Sequence, residues 1–249
     1  MKHKHIKGID LFTFEHFEQT GLVKHCFSGK MGRGFRSTRT AAGRFAKKAG
    51  FDRSKLVFTN QVHGITVCRA NDTDTARAGG IDGLVSSNRR DVLVTLHADC
   101  VPLFFLDPVQ RAIGLAHAGW RGTVEGMAVA AVAAMIMYEG AKPENMLAGI
   151  GPSIGPCCFE VDLPVAEAFL QAFPHMCSLI APQANSSKKY NINLWEMNRR
   201  ALVEAGIPAE NIESANLCTA CNPSLFYSHR RQGKNRGSMA AFMTLLGEK

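Results

Sequence analysis

The sequence predicts a single α+β domain in which mixed β-sheets are layered and flanked by helices. The chain has 249 residues, in the upper range for one domain, and 46% of them are hydrophobic, which is enough for a sizeable core. Apolar runs of strand character follow one another at hairpin spacing instead of alternating strictly with helices. We therefore expect one domain over residues 1–249, with residues 1–20 as an N-terminal extension.

The predicted elements follow from apolar periodicity and from residues that start or stop a segment. Strands are expected at 56–62, 65–70, 91–97, 101–106 and 111–117. Helices are expected at 39–49, 124–139, 163–173 and 194–205, three of them closed by a glycine. Asn193 is the predicted cap of the last helix, with Glu196 three residues later as in a capping box. Residues 181–189 are predicted to form an exposed loop.

Composition and charge restrict the class of protein. The formal net charge of +8 is spread along the chain, which suits an anionic ligand such as phosphate as well as it suits nucleic acid. No segment approaches the roughly 18 apolar residues that span a membrane, and the N-terminus lacks the apolar run of a signal peptide. We therefore expect a cytoplasmic protein with no membrane partner, whose eight cysteines are reduced thiols.

The densest chemical region surrounds a predicted turn near the middle of the chain. Residues 107–110 have turn composition, so the flanking apolar runs predict an antiparallel hairpin with Leu106 opposite Arg111. In that register Cys100 faces His117. Directly opposed side chains are about 4.5–5.5 Å apart at Cβ, close enough for a thiolate and an imidazole to hold one metal ion. A shift of one residue would break this pairing.

A catalytic metal site needs a third ligand, and His63 is the candidate. It ends an apolar run and is followed by Gly64, which permits a bulge or a tight turn. Two imidazoles and one thiolate favour zinc over magnesium or calcium, and they leave one tetrahedral position open. From the residues alone, an isolated histidine is more often an ordinary surface or core residue than a ligand.

A glycine-rich turn over residues 118–122 leads into an apolar helix beside the predicted site. Free backbone N–H groups, the helix dipole and Arg121 are expected to hold phosphate there, with Thr123 at the helix end. The alternative interpretation is a sterically tight turn in which Thr123 only caps the helix.

Near the C-terminus, Cys218 and Cys221 form a C-x-x-C pair. Such a pair is half of a structural zinc site, but the sequence offers no second pair at suitable spacing. Together with the tripeptide 97–99, the pair superficially resembles the signature of zinc-dependent nucleobase deaminases. We discard that fold, because aspartate stands where the longer glutamate is needed and no proline precedes Cys218.

Five motifs together resemble the laccase-domain family, also called the YfiH or polyphenol oxidase family. They are NQVHG (60–64), ADCVPL (98–103), HAGWRG (117–122), GIGPSIGPCCFEV (149–161) and CTACNPSLFYSHRR (218–231). The motifs occur in the family's order with similar spacing, and the resemblance covers about residues 20–245. It implies a YfiH-like domain of layered mixed sheets and a metal held by His63, Cys100 and His117.

The resemblance also implies a function. Members of the family are described as purine nucleoside phosphorylases, acting on adenosine, inosine, guanosine and methylthioadenosine, and as adenosine deaminases. For this chain we expect nucleoside and phosphate as ligands, no nucleic acid, and a monomer or homodimer. We expect zinc, with copper as the weaker alternative, because a multicopper oxidase needs many paired histidines. The only H-x-H here, His3 to His5, lies at a terminus expected to fray.

Other residues in the motifs are candidates for catalysis and substrate binding. Asp99 and His229 are candidates for proton transfer or for orienting the metal ligands, although Asp99 is equally typical of a turn. Gln61 and Arg230 are expected substrate contacts.

Two further hypotheses stay open. In the first, Cys100 is the nucleophile of an amide hydrolysis with His117 as base, an activity suggested by a bacterial branch of the family that is linked to editing of peptidoglycan precursors. In the second, the metal is structural in a binding protein, although a structural site is normally closed by four protein ligands.

Two departures from the family's pattern affect the expected substrate contacts. The family usually carries T-R-x-G-G-x-S where this chain has FSGKMGRG over residues 27–34. The role of that arginine is therefore expected to pass to Arg33 or Lys30. Phe159 stands where the family often has tyrosine, which removes a hydroxyl contact.

Overall fold

The structure, a computed structural model, describes residues 1–32, 34–35, 39–72, 80–183 and 186–247. The strands in these residues are β1 (Lys2–Ile6), β2 (Ile9–Thr13), β3 (Val23–Ser28), β4 (Leu56–Phe58), β5 (Val67–Arg69), β6 (Gly83–Ser86), β7 (Val92–His97), β8 (Val101–Asp107), β9 (Ala112–Ala118), β10 (Leu147–Ile150), β11 (Glu160–Asp162), β12 (Ile180–Gln183), β13 (Ser186–Ile192), β14 (Ile212–Ser214) and β15 (Met239–Leu245). The helices are α1 (Glu15–Thr20), α2 (Arg39–Ala49), α3 (Trp120–Glu125), α4 (Met127–Glu139), α5 (Leu163–Ala172), α6 (Leu194–Glu204) and α7 (His229–Gln232).

The strands form two six-stranded sheets and one three-stranded sheet. The first has the order β1-β2-β3-β15-β7-β4, the second β14-β10-β8-β9-β6-β5, and the third β11-β13-β12. Most neighbours are antiparallel, while the pairs β4–β7, β5–β6 and β10–β14 are parallel. The predicted α+β class with layered mixed sheets is confirmed.

The two large sheets pack against each other through their apolar faces. Side chains alternate along β8, so Phe104 and Leu106 join the cluster that lies between the sheets, whereas Leu103 and Phe105 join the cluster that includes α4. On the far side of the first sheet, Phe45 of α2 is fully buried in a third cluster. The molecule is therefore layered as helix, sheet, sheet and helix, and β8 is buried on both faces.

The N-terminal segment is packed into the first sheet. The β1–β2 hairpin joins it through β3, and Phe12 and Phe17 of this segment are buried in the core. The rings of His3 and His5 both bond to the Asp10 carboxylate across the hairpin. The expectation that this terminus frays is therefore wrong.

The predicted hairpin exists as β8 and β9, but its register differs from the prediction by two residues. Leu106 pairs with Ile113, not with Arg111. The turn comprises residues 108–111, because Asp107 stays in β8 and its carboxylate accepts two N–H groups of the turn.

This register places Pro102, not Cys100, opposite His117. The predicted direct pairing is therefore wrong. Because side chains alternate with a period of two, a shift of two residues leaves Cys100 and His117 on the same side of the hairpin. The prediction that Cys100 and His117 are close is therefore still correct, whereas a shift by an odd number of residues would have put them on opposite faces of the hairpin.

The helices agree with the prediction except around the glycine-rich turn. Helix α2 has the predicted bounds, but the helix expected at 124–139 is divided into α3 and α4 at Gly126, whose φ is +92°. Gly119 is the N-cap of α3, so Thr123 lies inside the helix and does not cap it. None of the described helices is long and apolar enough to cross a membrane.

Two predictions in the second half of the chain had opposite outcomes. Asn193 caps α6 by accepting the backbone N–H of Glu196, as expected, although the Glu196 carboxylate pairs with Arg199 instead of completing a capping box. The segment 181–189 is not a loop, because its described residues belong to the paired strands β12 and β13. Residues 184–185 lie outside the described part of the chain.

Candidate metal centre

Three potential ligands converge where the β8–β9 hairpin meets the segment after β4. The donor atoms of His63, Cys100 and His117 all lie within 4.8 Å of one another. His117 belongs to β9, Cys100 directly precedes β8, and His63 has a φ of +64°. Such a left-handed conformation is uncommon for a residue with a side chain and marks a constrained position. The structure thus brings the three predicted ligands together.

Asp82, which sequence reasoning missed, fixes two of the three ligands. Its carboxylate is fully buried just before β6, and Oδ1 accepts the His117 Nδ1–H at 2.9 Å and the His63 backbone N–H at 3.0 Å. Oδ2 accepts the backbone N–H groups of Val62 and Gly64. Burial raises the pKa of Asp82, but these donors outweigh it and hold the pKa below its ordinary value. With Nδ1 engaged, Nε2 is the nitrogen that His117 offers to a metal.

Cys100 and His117 stabilise each other's charged forms. Burial opposes ionisation of both groups, but their mutual attraction and hydrogen bonds lower the pKa of Cys100 to about 6 and raise that of His117 to about 9. Asp82 contributes to the shift on His117. Cys100 is therefore a thiolate at neutral pH, which is the form that binds metals and attacks electrophiles.

His97 supports the centre without being a ligand. Its Nδ1–H donates to the Cys100 carbonyl at 3.2 Å, and Nε2 accepts the Thr95 hydroxyl at 2.8 Å. Complete burial lowers the pKa of His97 well below its ordinary value, so the ring is neutral. The Thr95 hydroxyl thus orients the ring, and Nδ1 holds the backbone from which the thiolate projects.

Because Gly119 has no side chain, His63 and Cys100 have room to approach each other beside it. A Cβ atom at this position would lie 3.0 Å from His63 Cδ2 and 3.3 Å from Cys100 Sγ. Any larger residue would push these two side chains out of place. The HAGWRG motif therefore needs glycine here because of the ligands that surround it.

Two cavities meet at His63 and Cys100, and His117 lines the first of them. Their volumes are about 580 and 480 Å³, within the range of small-molecule sites. His63, Cys100 and Arg236 line both of them. Aromatic side chains contribute to each wall, namely Phe35 and Phe58 in the first cavity and Trp120 and Phe159 in the second.

Arginine side chains give the second cavity a positive wall. The guanidinium of Arg121 lies 4.3 Å from the centre of the Trp120 ring. Arg236 donates through Nε to Nδ1 of His229 at 3.2 Å. Arg230 also lines this cavity, but it donates to two backbone carbonyls and so holds the wall together.

Asp99 occupies a position suited to organising the neighbouring loops. It is buried, its φ is +84°, and its carboxylate accepts three hydrogen bonds. The donors are the Thr219 hydroxyl at 2.6 Å, the Ser228 hydroxyl at 3.0 Å and the Arg230 backbone N–H at 2.7 Å. None of these donors is a metal ligand, so the contacts fit the alternative of a structural turn residue better than proton transfer or the orienting of metal ligands.

Two other expected substrate contacts are differently placed. The Gln61 amide lines the first cavity but bonds both the N–H and the carbonyl of Leu96, so it ties its segment to β7. Thr123 is buried, accepts a hydrogen bond from Asn198 at 3.2 Å and lines neither cavity. The phosphate contact expected of Thr123 does not fit this placement.

The atypical N-terminal segment lies beside the C-terminal motif. Lys30 donates to the Pro223 carbonyl, stacks 5.2 Å above the Tyr227 ring and lines neither cavity. Arg33 lies outside the described residues. Phe159 lines the second cavity with its ring 5.8 Å from the Arg230 guanidinium.

Comparison with known proteins agrees with this fold. A family described as multi-copper polyphenol oxidoreductase laccase matches residues 36–246. Purine nucleoside phosphorylase YlmD of Bacillus subtilis is 37% identical over 200 residues, which cover 77% of this chain and 71% of the relative. Adenosine deaminase RL5, from an unknown prokaryotic organism, is 37% identical over 200 residues, covering 77% and 76%. The crystal structure of the Bacillus licheniformis hypothetical protein YfiH superposes with a TM-score of 0.81 at 31% identity and covers 96% of both chains.

The layered sheets and the His–Cys–His centre define a laccase-domain protein of the YfiH class. The chain belongs to the family described as multi-copper polyphenol oxidoreductase laccase. The resemblance inferred from five short motifs is confirmed.

Proposed function

We propose that the protein is a zinc-dependent purine nucleoside phosphorylase that also deaminates adenosine. The observation that carries the proposal is a centre of three ligands, open on one side, at the junction of two cavities. Relatives that are 37% identical bear the names of these two activities. The expected substrates are adenosine, inosine, guanosine and methylthioadenosine, with phosphate as the second substrate.

The donor set fits zinc. Imidazole nitrogens bind zinc at about 2.0–2.1 Å and thiolates at about 2.3 Å, and the three donor atoms here are close enough to share one ion. Among the described residues, the other group of clustered metal-binding side chains contains no histidine, so nothing there resembles a multicopper arrangement. When bound at this centre, zinc supplies a Lewis acid with one open coordination position.

The second cavity suits a nucleoside. Trp120 and Phe159 offer aromatic faces on which a purine can stack. Because Nδ1 of His229 accepts from Arg236, the proton of the neutral ring is on Nε2. The Nε2–H of His229 is thereby available to donate a hydrogen bond to the purine as it leaves.

Phosphate binds where positive charge meets the metal ligands. Arg236 lines both cavities at this junction, and Arg121 lies on the wall of the second cavity. Their guanidinium groups bind phosphate oxygens and hold them in line with the ribose carbon under attack. For deamination, water would instead attack C6 of the adenine ring and ammonia would leave, so the purine and not the ribose would face the metal ligands.

The test is to incubate the purified protein with adenosine, with and without phosphate, and to separate the products. Adenine and ribose phosphate are expected only when phosphate is present, and inosine in both cases. His117→Ala should abolish both reactions, whereas Cys177→Ser, which changes an exposed cysteine outside the site, should leave them intact. A zinc-containing protein that forms neither product would overturn the proposal.

A second candidate function is favoured by one specific observation. Cys100, His117 and Asp82 form a thiolate, an imidazolium and an orienting carboxylate, which is the arrangement of a cysteine hydrolase. Hydrolysis of a peptidoglycan-precursor peptide by zinc-depleted protein, lost in Cys100→Ser, would support this activity. If the protein is active only with zinc and does not cleave such a peptide, the cysteine-hydrolase function is excluded.

A further inference from the structure

Four cysteines gather outside the site described above. Cys157 and Cys158 lie in the turn between β10 and β11, and Cys218 and Cys221 lie in the loop that precedes α7. All four Sγ atoms lie within 4.8 Å of one another. The sequence prediction that the C-x-x-C pair has no suitable second pair is therefore wrong, because the second pair is a vicinal one 60 residues upstream and folding brings it alongside.

The spacing of the sulfurs matches a shared metal ion better than a disulfide. The Sγ atom of Cys221 lies 3.5 Å from that of Cys157 and 3.4 Å from that of Cys158. Four thiolates around one zinc ion, each bound at about 2.3 Å, are roughly 3.8 Å apart. A disulfide instead joins two sulfurs at about 2.05 Å and leaves the others out. These two distances, with the fourth sulfur within 4.8 Å of the other three, leave room for one ion bound by all four.

Backbone groups around the cluster are arranged as in thiolate sites. The N–H of Gly155 donates to Cys218 Sγ at 3.3 Å, and the backbone N–H of Cys221 bonds the same sulfur. Such hydrogen bonds stabilise a sulfur that carries negative charge. No larger residue fits at position 155, because a Cβ atom there would lie 2.7 Å from the Trp195 ring and 3.2 Å from Cys218 Cβ.

We propose that Cys157, Cys158, Cys218 and Cys221 bind one structural zinc ion as a tetrathiolate site. Four protein ligands close the coordination sphere, so this ion has no open position for a substrate. The site is independent of the His63, Cys100 and His117 centre and of the reaction proposed for it.

The tetrathiolate site joins the two loops that build the wall of the second cavity. Arg230, which lines that cavity, donates to the carbonyls of Cys158 and Glu160 in the first loop. Thr219, inside the C-x-x-C pair, donates to Asp99 beside the catalytic centre. Zinc at the four cysteines would therefore hold both loops, and through them the cavity, in one arrangement.

The test uses the full chain, purified under reducing conditions without chelator. Zinc per chain is measured by elemental analysis for the wild type, for Cys157→Ser/Cys158→Ser, and for the matched control Cys177→Ser, an exposed cysteine outside the cluster. The double variant should contain one zinc fewer than the wild type, and the control should contain as many. Equal zinc in the double variant and the wild type would overturn the proposal.

A second measurement leaves the four cysteines untouched, and so remains decisive if their variants do not fold. His63→Ala/His117→Ala removes the metal from the first centre, and X-ray absorption then reports the ligands of any zinc that remains. We expect about one zinc per chain with sulfur alone at about 2.3 Å. No zinc, nitrogen in the ligand shell, or a mass two hydrogens lower through a disulfide would each refute the site. Loss of activity with this zinc retained would bear on the proposed function alone.

Discussion

Replacing Asp82 with asparagine tests whether one buried carboxylate holds the metal centre together. The carboxylate accepts four hydrogen bonds, two on each oxygen, from His117, His63, Val62 and Gly64. In Asp82→Asn one oxygen becomes an NH₂ group, so two of these donors lose their acceptor. Each unsatisfied buried donor costs about 1–3 kcal/mol, which predicts roughly 2–6 kcal/mol of lost stability.

The same substitution should weaken metal binding. Without the negative charge on residue 82, the His117 imidazole is less basic and binds a metal ion more weakly. The turn that carries His63 also loses hydrogen bonds that fix its backbone. Changes in such orienting groups lower metal affinity about 10- to 100-fold. Affinity is measured by competition with a chromogenic chelator, and stability by urea unfolding of the zinc-depleted protein.

Asp107→Asn is the matched control. Asp107 is also fully buried and accepts three backbone N–H groups, from Val109, Gln110 and Lys142, at the opposite end of β8 from Cys100. It should lose about 1–3 kcal/mol, because only the Lys142 N–H bonds Oδ2 and loses its acceptor, but it should keep wild-type zinc affinity. Unchanged zinc affinity in folded Asp82→Asn, or an equal loss in Asp107→Asn, would refute the reasoning.

Three further predictions follow from the structure. Gly119→Ala should lower zinc affinity by at least about tenfold in the chelator assay, because its Cβ meets two ligands at 3.0 and 3.3 Å; wild-type affinity would show that the ligands have room to move. Arg121→Ala should raise the KM for phosphate roughly 10- to 100-fold, with little effect on that for the nucleoside; equal effects on both would remove it from the phosphate site. His25 is buried, which lowers its pKa from 6.5 to about 4, while its Nε2 accepts the Phe14 N–H. The contribution of the neutral His25 ring to the free energy of unfolding is complete above pH 6.5. It is lost as the pH falls toward 4, and the loss amounts to at most about 3 kcal/mol. His25→Gln keeps an acceptor without the titration, so its urea stability should vary less over this range; an unchanged pH profile would assign the acid sensitivity to other groups.

Local pattern was sufficient for much of the fold and for the proximity of two of the three candidate ligands. The turn composition after β8 predicted the hairpin, and the period of two kept Cys100 and His117 on one side despite the error in register. Helix α2 and the Asn193 cap were likewise predictable, because both depend on residues close in sequence. The helix expected at 124–139 was not, since Gly126 divides it by taking a left-handed conformation that the apolar periodicity does not show.

His63 illustrates where local reasoning ends. Its approach to the other ligands depends on a left-handed backbone that Asp82 holds from 19 residues away. The residues alone made His63 a weak candidate, and the resemblance to a family selected it as a ligand. Asp82 itself gave no signal beyond an acidic residue entering an apolar strand.

The sequence by itself determined the α+β class, the family and the placement of Cys100 and His117 on one side of a hairpin, because each depends on periodicity or on short motifs that neighbouring residues specify. The tertiary structure alone decided the buried role of Asp82, the junction of the two cavities and the gathering of four cysteines. Those features join segments separated by tens of residues, and the packing of two sheets, which no local pattern records, sets the distances between them.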